Sequence, residues 1–308
     1  IKVEDQSLAV SGGSQLRWRV QGRVVDSDWI CKTSSPMTST LLILGASLMD
    51  AGNVSRASDD LVLGEQIAIA MGGDPQDVQL FPLPDHPRPQ SARLHNYAHG
   101  GAQSGSGPSL EEEAGNVRIG FKRQVRAVRR HAAFYQSLSD VDVLISAGAN
   151  DLLDQLEDGS AFAAVLNTEH RRDDRQLICS NAKRIVRNLR RGVDRLTGLV
   201  DEVVVAGAFP VSVTPEVQST AEKLDSATSD RLVEILDGIG AKVQRKLERH
   251  FADDGSVAVL NLKAAWDRVQ APSFVDAVHP SSDTSRQLAE LIVPELMQQL
   301  NSFGFSEG

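Results

Sequence analysis

The chain has 308 residues, of which 41% are hydrophobic and 24% are charged. These proportions are ordinary for a globular protein, and the length allows one large domain or two small ones around a sizeable core. The formal net charge of −9 would repel a phosphate backbone, which argues against nucleic acid as a partner. No uninterrupted apolar run approaches the roughly 20 residues that a membrane-spanning helix needs.

Two cysteines, Cys31 and Cys179, are too few for a disulfide framework and lack the spacing of metal ligands. They allow one disulfide in an oxidising compartment, or two separate small buried side chains. Because Cys179 falls beside the apolar stripe of a helical pattern, we favour the second interpretation.

The first predicted elements are weak and the later ones are regular. Residues 1–40 alternate loosely between apolar and polar side chains, which indicates a short hairpin or an irregular lead-in before one domain over residues 41–308. From Leu41 onwards, short apolar runs alternate with helical periodicity, a pattern typical of βαβ units and a parallel sheet. The predicted strands are Leu41–Leu44, Leu94–Ala98, Val141–Ser146, Val203–Ala206 and Val257–Leu260.

Amphipathic helices are predicted between these strands. Apolar side chains recur at steps of three and four residues over 117–135, 178–196, about 229–250 and about 282–300. Five parallel strands with helices between them predict a three-layer α/β/α sandwich. In such a sheet, ligands bind beyond the carboxyl ends of the strands.

The first candidate residue there is Ser47, in the turn that follows the first strand. A serine at this place can present its hydroxyl at the sheet edge, where backbone N–H groups stabilise developing negative charge. Taken alone, a turn serine is more often a helix cap. Met49 stands where the Gly-x-Ser-x-Gly elbow of α/β-hydrolases has its second glycine.

A glycine block, Asn96–Ala102, follows the second predicted strand. Its neighbouring residues Gly100 and Gly101 let the backbone approach a ligand closely and can expose an N–H donor. Taken alone, the block is more often an ordinary loop. His99 has no carboxylate at a useful local spacing, and we interpret it as a residue on the rim of the site.

An asparagine, Asn150, follows the third predicted strand within Gly148–Asp151. Its side-chain amide is a fixed hydrogen-bond donor of the kind found in oxyanion holes. The alternative is that Asn150 and Asp151 only cap a helix.

An aspartate and a histidine stand three residues apart near the C-terminus, at Asp276 and His279. The carboxylate can accept a hydrogen bond from one imidazole nitrogen and leave the other free to take a proton. Pro280 stiffens the turn. The alternative is a surface Asp–His pair without a catalytic role.

Together, the four segments resemble the SGNH/GDSL hydrolase family over about residues 41–300. Four blocks in the right order are a specific signal. Gly45–Asn53 matches the serine motif of the family (Gly-Asp-Ser-Leu), and Asn96–Ala102 matches its glycine block. Gly148–Asp151 matches Gly-x-Asn-Asp, and Asp276–Pro280 matches Asp-x-x-His-Pro. The resemblance implies a flavodoxin-like sandwich with five parallel strands.

The resemblance also implies roles for individual residues. Ser47 would be the nucleophile, His279 the general base and Asp276 its partner. The oxyanion hole would consist of the N–H groups of Ser47 and Gly101 and the side chain of Asn150, with Gly100 a less favoured alternative to Gly101. No metal or organic cofactor is implied, and a secreted or periplasmic location is favoured.

Three functions remain open at this point. The first is an esterase or lipase that acts on short- or medium-chain acyl esters. The second is a carbohydrate O-acetylesterase or an acyltransferase with the same triad. The third is an inactive binding protein of the same fold, and Ala46, which stands where the family usually has Asp, is its only hint. Because aromatic residues make up only 5% of the chain, we favour simple acyl esters over sugars.

One helix, within residues 117–135, has a strongly basic side. Opposite its apolar stripe it carries Lys122, Arg123, Arg126, Arg129 and Arg130. The first interpretation is a solvated face on an acidic protein. The alternative is a docking face for anionic lipid or an acidic polysaccharide, so contact with a membrane surface is conceivable but not favoured. The oligomeric state is not predicted.

Overall fold

The computed structural model describes residues 17–20, 23–26, 40–52, 61–71, 73–74, 77–82, 87–90, 92–106, 119–157, 161–166 and 171–304. Cys31, Asn53 and Val117, which belong to the predictions above, lie outside these ranges.

The N-terminal part contains two short strands. β1 (Arg17–Val20) and β2 (Arg23–Asp26) pair antiparallel, with Val20 opposite Arg23. The other residues before Thr40 lie outside the described ranges, so the division into a lead-in and a domain stays a prediction.

Within the ranges that the structure describes, the core of the protein is a parallel sheet of six strands. In chain order these are β3 (Thr40–Gly45), β4 (Val78–Leu80), β5 (Leu94–Asn96), β6 (Val141–Ser146), β7 (Glu202–Ala206) and β8 (Val257–Leu260). Their order in space is β4-β5-β3-β6-β7-β8, and every neighbouring pair is parallel. The predicted three-layer α/β/α sandwich is confirmed, with six strands instead of five.

The strand that the sequence did not predict is β4. It has three residues, all half-buried, and among the described residues it pairs with β5 alone, at the edge of the sheet. A strand this short carries too little apolar periodicity to stand out from a loop.

Helices cover both faces of the sheet. They are α1 (Leu63–Ala70), α2 (Phe121–Arg130), α3 (Ala132–Tyr135), α4 (Asn150–Glu157), α5 (Ala161–Leu166), α6 (Arg171–Leu196), α7 (Pro215–Ala221), α8 (Ser226–Phe251), α9 (Leu262–Trp266) and α10 (Ser282–Gly304). The predicted helix over 117–135 is divided between α2 and α3 because His131 adopts φ −103° and ψ 18°. None of the described helices is both long and apolar enough to span a bilayer.

Alternate residues of each central strand enter two separate apolar cores, as the strand period of two requires. Leu42 and Leu44 pack with α2, α6 and α8, whereas Leu41 and Ile43 pack with α1, α9 and α10. The chain therefore leaves β3 towards one face and leaves the neighbouring β5 and β6 towards the other. Such a change of direction opens a crevice at the carboxyl edge of the sheet.

Cys179 is not buried, contrary to the interpretation made from the sequence. It lies exposed on α6 with a free thiol, and Lys242 Nζ is 2.9 Å from its Sγ. Each residue turns an α-helix by about 100°, which takes Cys179 away from the apolar stripe that contains Leu177, Ile178 and Ala182.

β3 ends at Gly45, where the chain passes very close to β6. A Cβ atom at Gly45 would lie 2.1 Å from the carbonyl oxygen of Ser146, so only glycine fits. The fully buried amide of Gln124 in α2 fixes the same point: Gly45 N donates to Gln124 Oε1 at 2.8 Å, and Gln124 Nε2 donates to Gly45 O at 2.7 Å. These contacts fix the position of the main chain at Gly45, directly before Ala46 and Ser47.

Replacement of Gln124 by leucine should lower the free energy of unfolding by about 1–3 kcal/mol, because the buried N–H of Gly45 loses its acceptor. Urea unfolding measures the change. The control Gln176→Leu, at an exposed position on α6, should stay within about 0.5 kcal/mol of the parent chain. Equal stability of the two variants would contradict a stabilising role for the Gln124 amide.

Candidate active site

Ser47 lies half-buried in a tight turn directly after β3. Ala46 N donates to Ser146 O at 3.2 Å, Met49 N to Ala46 O at 2.9 Å, and Asp50 N to Ser47 O at 3.2 Å. The N–H of Ser47 itself makes no hydrogen bond with any residue in the described ranges. The turn therefore holds one N–H donor beside the Ser47 hydroxyl and leaves it available.

Two buried side chains join this turn to the glycine block after β5. Asp50, which is 1% exposed, accepts hydrogen bonds from Gly52 N at 2.9 Å and Gly100 N at 2.8 Å. Asn96 Nδ2 donates to Met49 O at 2.7 Å. No role was predicted for Asp50: it stands within the serine motif, but nothing in the sequence pairs it with Gly100.

These contacts distinguish the two candidate glycines. The N–H of Gly100 is occupied by the Asp50 carboxylate. Gly101 has φ +72°, a left-handed conformation that favours glycine, and its N–H has no hydrogen-bond partner within the described part of the chain. Gly101 is thus the one of the two whose donor can serve a ligand.

Asn150 begins α4 just beyond β6, next to the glycine block. Its Nδ2 donates one hydrogen to Ala102 O at 3.2 Å. The buried carboxylate of Asp151 holds the following loop, because it accepts from Ser104 N at 2.6 Å and Ser104 Oγ at 2.9 Å. Burial raises the pKa of Asp151, although the hydrogen bonds from Ser104 and the charge of Arg184 act in the opposite direction.

Asp276 and His279 are in direct contact. Asp276 Oδ2 lies 2.6 Å from His279 Nδ1, while Oδ1 accepts from Val278 N at 2.8 Å and His279 N at 2.7 Å. Partial burial disfavours the ionised carboxylate, but these hydrogen bonds outweigh it and lower the pKa of Asp276 below its ordinary value. The carboxylate is thus anionic and fixes which imidazole nitrogen carries the proton.

The loop that carries this pair is held by two main-chain hydrogen bonds. Val275 N donates to His279 O at 2.9 Å, which closes the loop on itself. Glu216 N at the start of α7 donates to Ala277 O at 2.8 Å. Since α7 follows β7, this contact places the loop at the carboxyl edge of the sheet.

Helix α1 lies between the serine turn and the histidine loop. A Cβ atom at Gly64 would come within 2.9 Å of Met49 O, and Gln66 Nε2 donates to Ser282 Oγ at 3.2 Å. His279 Nε2 is buried and has no hydrogen-bond partner among the described residues. The structure thus links the segments that carry Ser47, Gly101 and Asn150 and pairs Asp276 with His279, but it forms no hydrogen bond between Ser47 and His279.

His99 is buried, which corrects its interpretation as a rim residue. Its Nδ1 lies 2.6 Å from Tyr97 O, and burial lowers the pKa of His99 to about 4. The ring is therefore neutral near pH 7 and serves to hold the glycine block. Within the described ranges, no three His, Cys, Asp or Glu side chains are grouped so as to hold a metal ion.

Comparison with solved structures gives matches of low sequence identity. A carbohydrate acetylesterase from Sinorhizobium meliloti is 14% identical, with a TM-score of 0.43, over 85% of this chain and 99% of that one. A catalytic mutant of an acetylxylan esterase from Geobacillus stearothermophilus is 15% identical, with a TM-score of 0.44, over 88% and 97%. An α/β hydrolase from the metagenome of Lake Arreo is 14% identical, with a TM-score of 0.43, over 88% and 99%.

No curated protein matches the chain. The model of the GDSL-like lipase/acylhydrolase family matches residues 41–292, which is most of the sequence. The matched region begins with β3 and ends within α10, so it contains every segment of the site described above. The chain therefore belongs to the GDSL-like lipase/acylhydrolase family and is an enzyme of the serine esterase and lipase class.

Proposed function

We propose that this enzyme hydrolyses carboxylic esters with Ser47 as nucleophile, His279 as general base and Asp276 as the group that orients the base. The observation that carries the proposal is the 2.6 Å contact between Asp276 Oδ2 and His279 Nδ1. This contact directs the proton to Nδ1 and leaves the buried Nε2 ready to accept another. Buried polar atoms usually have a hydrogen-bond partner, and a role as proton acceptor for the Ser47 hydroxyl explains why Nε2 has none here.

In the first half of the reaction, Ser47 Oγ attacks the ester carbonyl while His279 Nε2 takes its proton. The oxyanion that forms accepts hydrogen bonds from the N–H groups of Ser47 and Gly101 and from the Asn150 amide. Collapse of this intermediate breaks the bond to the alcohol oxygen, which leaves with the proton from His279. The acyl group remains as an ester on Ser47.

In the second half, water attacks the acyl-enzyme and gives its proton to His279. Collapse of the second tetrahedral intermediate returns the proton to Ser47 Oγ and releases the carboxylic acid. The anionic Asp276 stabilises the imidazolium in both halves. The hydrogen bond from Ser47 to His279 forms in the substrate complex, since catalytic hydrogen bonds are often long in the free enzyme.

We propose short- to medium-chain acyl esters of small molecules as the substrate class. Aromatic residues are 5% of the chain, which leaves few platforms for stacking sugar rings. Nucleic acid is not a proposed partner, because the net charge is −9. A lipid or glycan ester would use the same triad.

Ser47→Ala should lower kcat by roughly 10⁵–10⁶, because no other group takes over the attack on the carbonyl. The measurement is hydrolysis of p-nitrophenyl esters from acetate to decanoate, beside an acetylated xylose. Ser180→Ala, at an exposed position on α6, is the matched control and should keep full activity. Parent-like turnover by Ser47→Ala would end the proposal, and preference for the acetylated sugar would replace simple acyl esters as the substrate class.

Asn150→Ala should lower kcat roughly 10²–10³-fold and change KM little, because the lost hydrogen bond strengthens only in the transition state. Steady-state kinetics with p-nitrophenyl acetate measure both constants. A lower melting temperature with unchanged kcat would instead assign Asn150 to holding Ala102.

The pH dependence of kcat/KM should show a single rise towards a plateau above neutrality. The pKa of Asp276 is lowered, so its carboxylate adds no step of its own near neutral pH, whereas a histidine acts as a general base only in its neutral form. A flat profile between pH 5 and pH 8 would contradict the assignment of His279.

Replacement of Asp276 by asparagine should lower kcat by about 10⁴.

A further inference from the structure

A cavity of about 170 Å³ lies on the side of the sheet that carries α2 and α6. Three cationic side chains line it: Lys122 from α2, and Arg191 and Arg195 from α6. Ser104, Ser106 and Asn188 are the neutral polar residues among its described lining residues. No acidic side chain is among the described residues that line it.

Lys122, Arg191 and Arg195 form no ion pair within the described ranges. By contrast, Arg184 on the same helix lies 3.7 Å from the Asp151 carboxylate, and Arg231 is 2.6 Å from Asp174. In a chain with a net charge of −9, this cavity has three cations and no acidic side chain among the described residues that line it. Their mutual repulsion is relieved when an anion enters.

We propose that this cavity binds a phosphate group, as inorganic phosphate or as the phosphate of a larger ligand. Each guanidinium can donate two parallel hydrogen bonds to phosphate oxygens, and Lys122 adds a third positive charge. Ser106 and Asn188 supply neutral donors for the remaining oxygens. At about 30 Å³ for each water molecule, the cavity corresponds to roughly five or six waters, which is room for one phosphate and part of its hydration shell.

A membrane surface explains this region less well than a discrete anion does. Proteins that dock on a bilayer combine basic residues with exposed apolar side chains that enter the interface. In the described part of the chain, Val275 is the one large hydrophobic side chain that is exposed, and it belongs to the histidine loop. The cavity between α2 and α6 therefore provides charge and hydrogen bonds but no insertion surface.

The cavity wall is continuous with the loop that follows the glycine block. Asn188 Nδ2 donates to Ser104 Oγ at 3.1 Å, and Ser104 Oγ donates to Asp151, the neighbour of Asn150. Lys122 N also donates to Gly105 O at 3.1 Å. A bound phosphate thus stabilises this wall together with α2 and α6. This inference does not rest on the proposed triad, because binding is measured without turnover.

Isothermal titration calorimetry and thermal melting of the full chain with inorganic phosphate test the proposal, with sodium chloride at the same ionic strength as the comparison. We expect saturable binding at one site and a melting temperature that rises with occupancy. Arg191→Gln and Arg195→Gln should each raise Kd roughly tenfold or more, because a charge-assisted hydrogen bond is lost. Arg187→Gln and Arg190→Gln, exposed on α6 outside the cavity, are matched controls and should change Kd less than about twofold.

Vesicle flotation distinguishes a free phosphate from a lipid headgroup. Vesicles that contain phosphatidylglycerol are compared with vesicles of phosphatidylcholine alone. Capture by the anionic vesicles that inorganic phosphate displaces and Arg191→Gln abolishes would assign the site to a headgroup phosphate. Absence of binding to both ligands would overturn the proposal, as would equal weakening by Arg187→Gln and Arg191→Gln.

Discussion

The close approach of β3 and β6 at Gly45 is the contact on which the geometry of the active-site edge depends. With no side chain at Gly45, the two strands remain in register up to Ser146, and Ala46 N continues the hydrogen bonding one residue further. The turn with Ser47 follows β3, and the start of α4 with Asn150 follows the adjacent strand β6. Both segments therefore begin at the same height on the carboxyl edge of the sheet. Their relative position is set by main-chain contacts and by the buried amide of Gln124, not by flexible side chains.

Buried hydrogen bonds then determine which N–H groups at this edge of the sheet remain available to a ligand. Asp50 takes the N–H of Gly100, and Ala102 takes one hydrogen of the Asn150 amide. The N–H groups of Ser47 and Gly101 are left without partners in the described part of the chain. Donors that are already oriented need no reorganisation when negative charge develops, which is the physical basis of oxyanion stabilisation.

The sequence predicted the parts of this structure that depend on local pattern. β6 and β7 contain runs of apolar residues that alternate between two cores, and the contact of Asp276 with His279 follows from a spacing of three residues. The roles assigned to the site residues remain proposals. Contacts between distant segments left no signal that one sequence could show: Gln124 binds Gly45 across 79 residues, and Asp50 binds Gly100 across 50. The choice between Gly100 and Gly101 depends on the second of these contacts.

The loop from Val275 to His279 has a mechanical consequence. The Asp276 carboxylate accepts three hydrogen bonds, two from His279 and one from Val278 N, and the loop is closed by the bond from Val275 N to His279 O. These contacts fix Asp276 and His279 relative to each other. A displacement of the whole loop would change the distance between the His279 imidazole and the Ser47 hydroxyl without changing which ring nitrogen carries hydrogen. The distance to Ser47 and the tautomer of His279 are therefore set independently of each other.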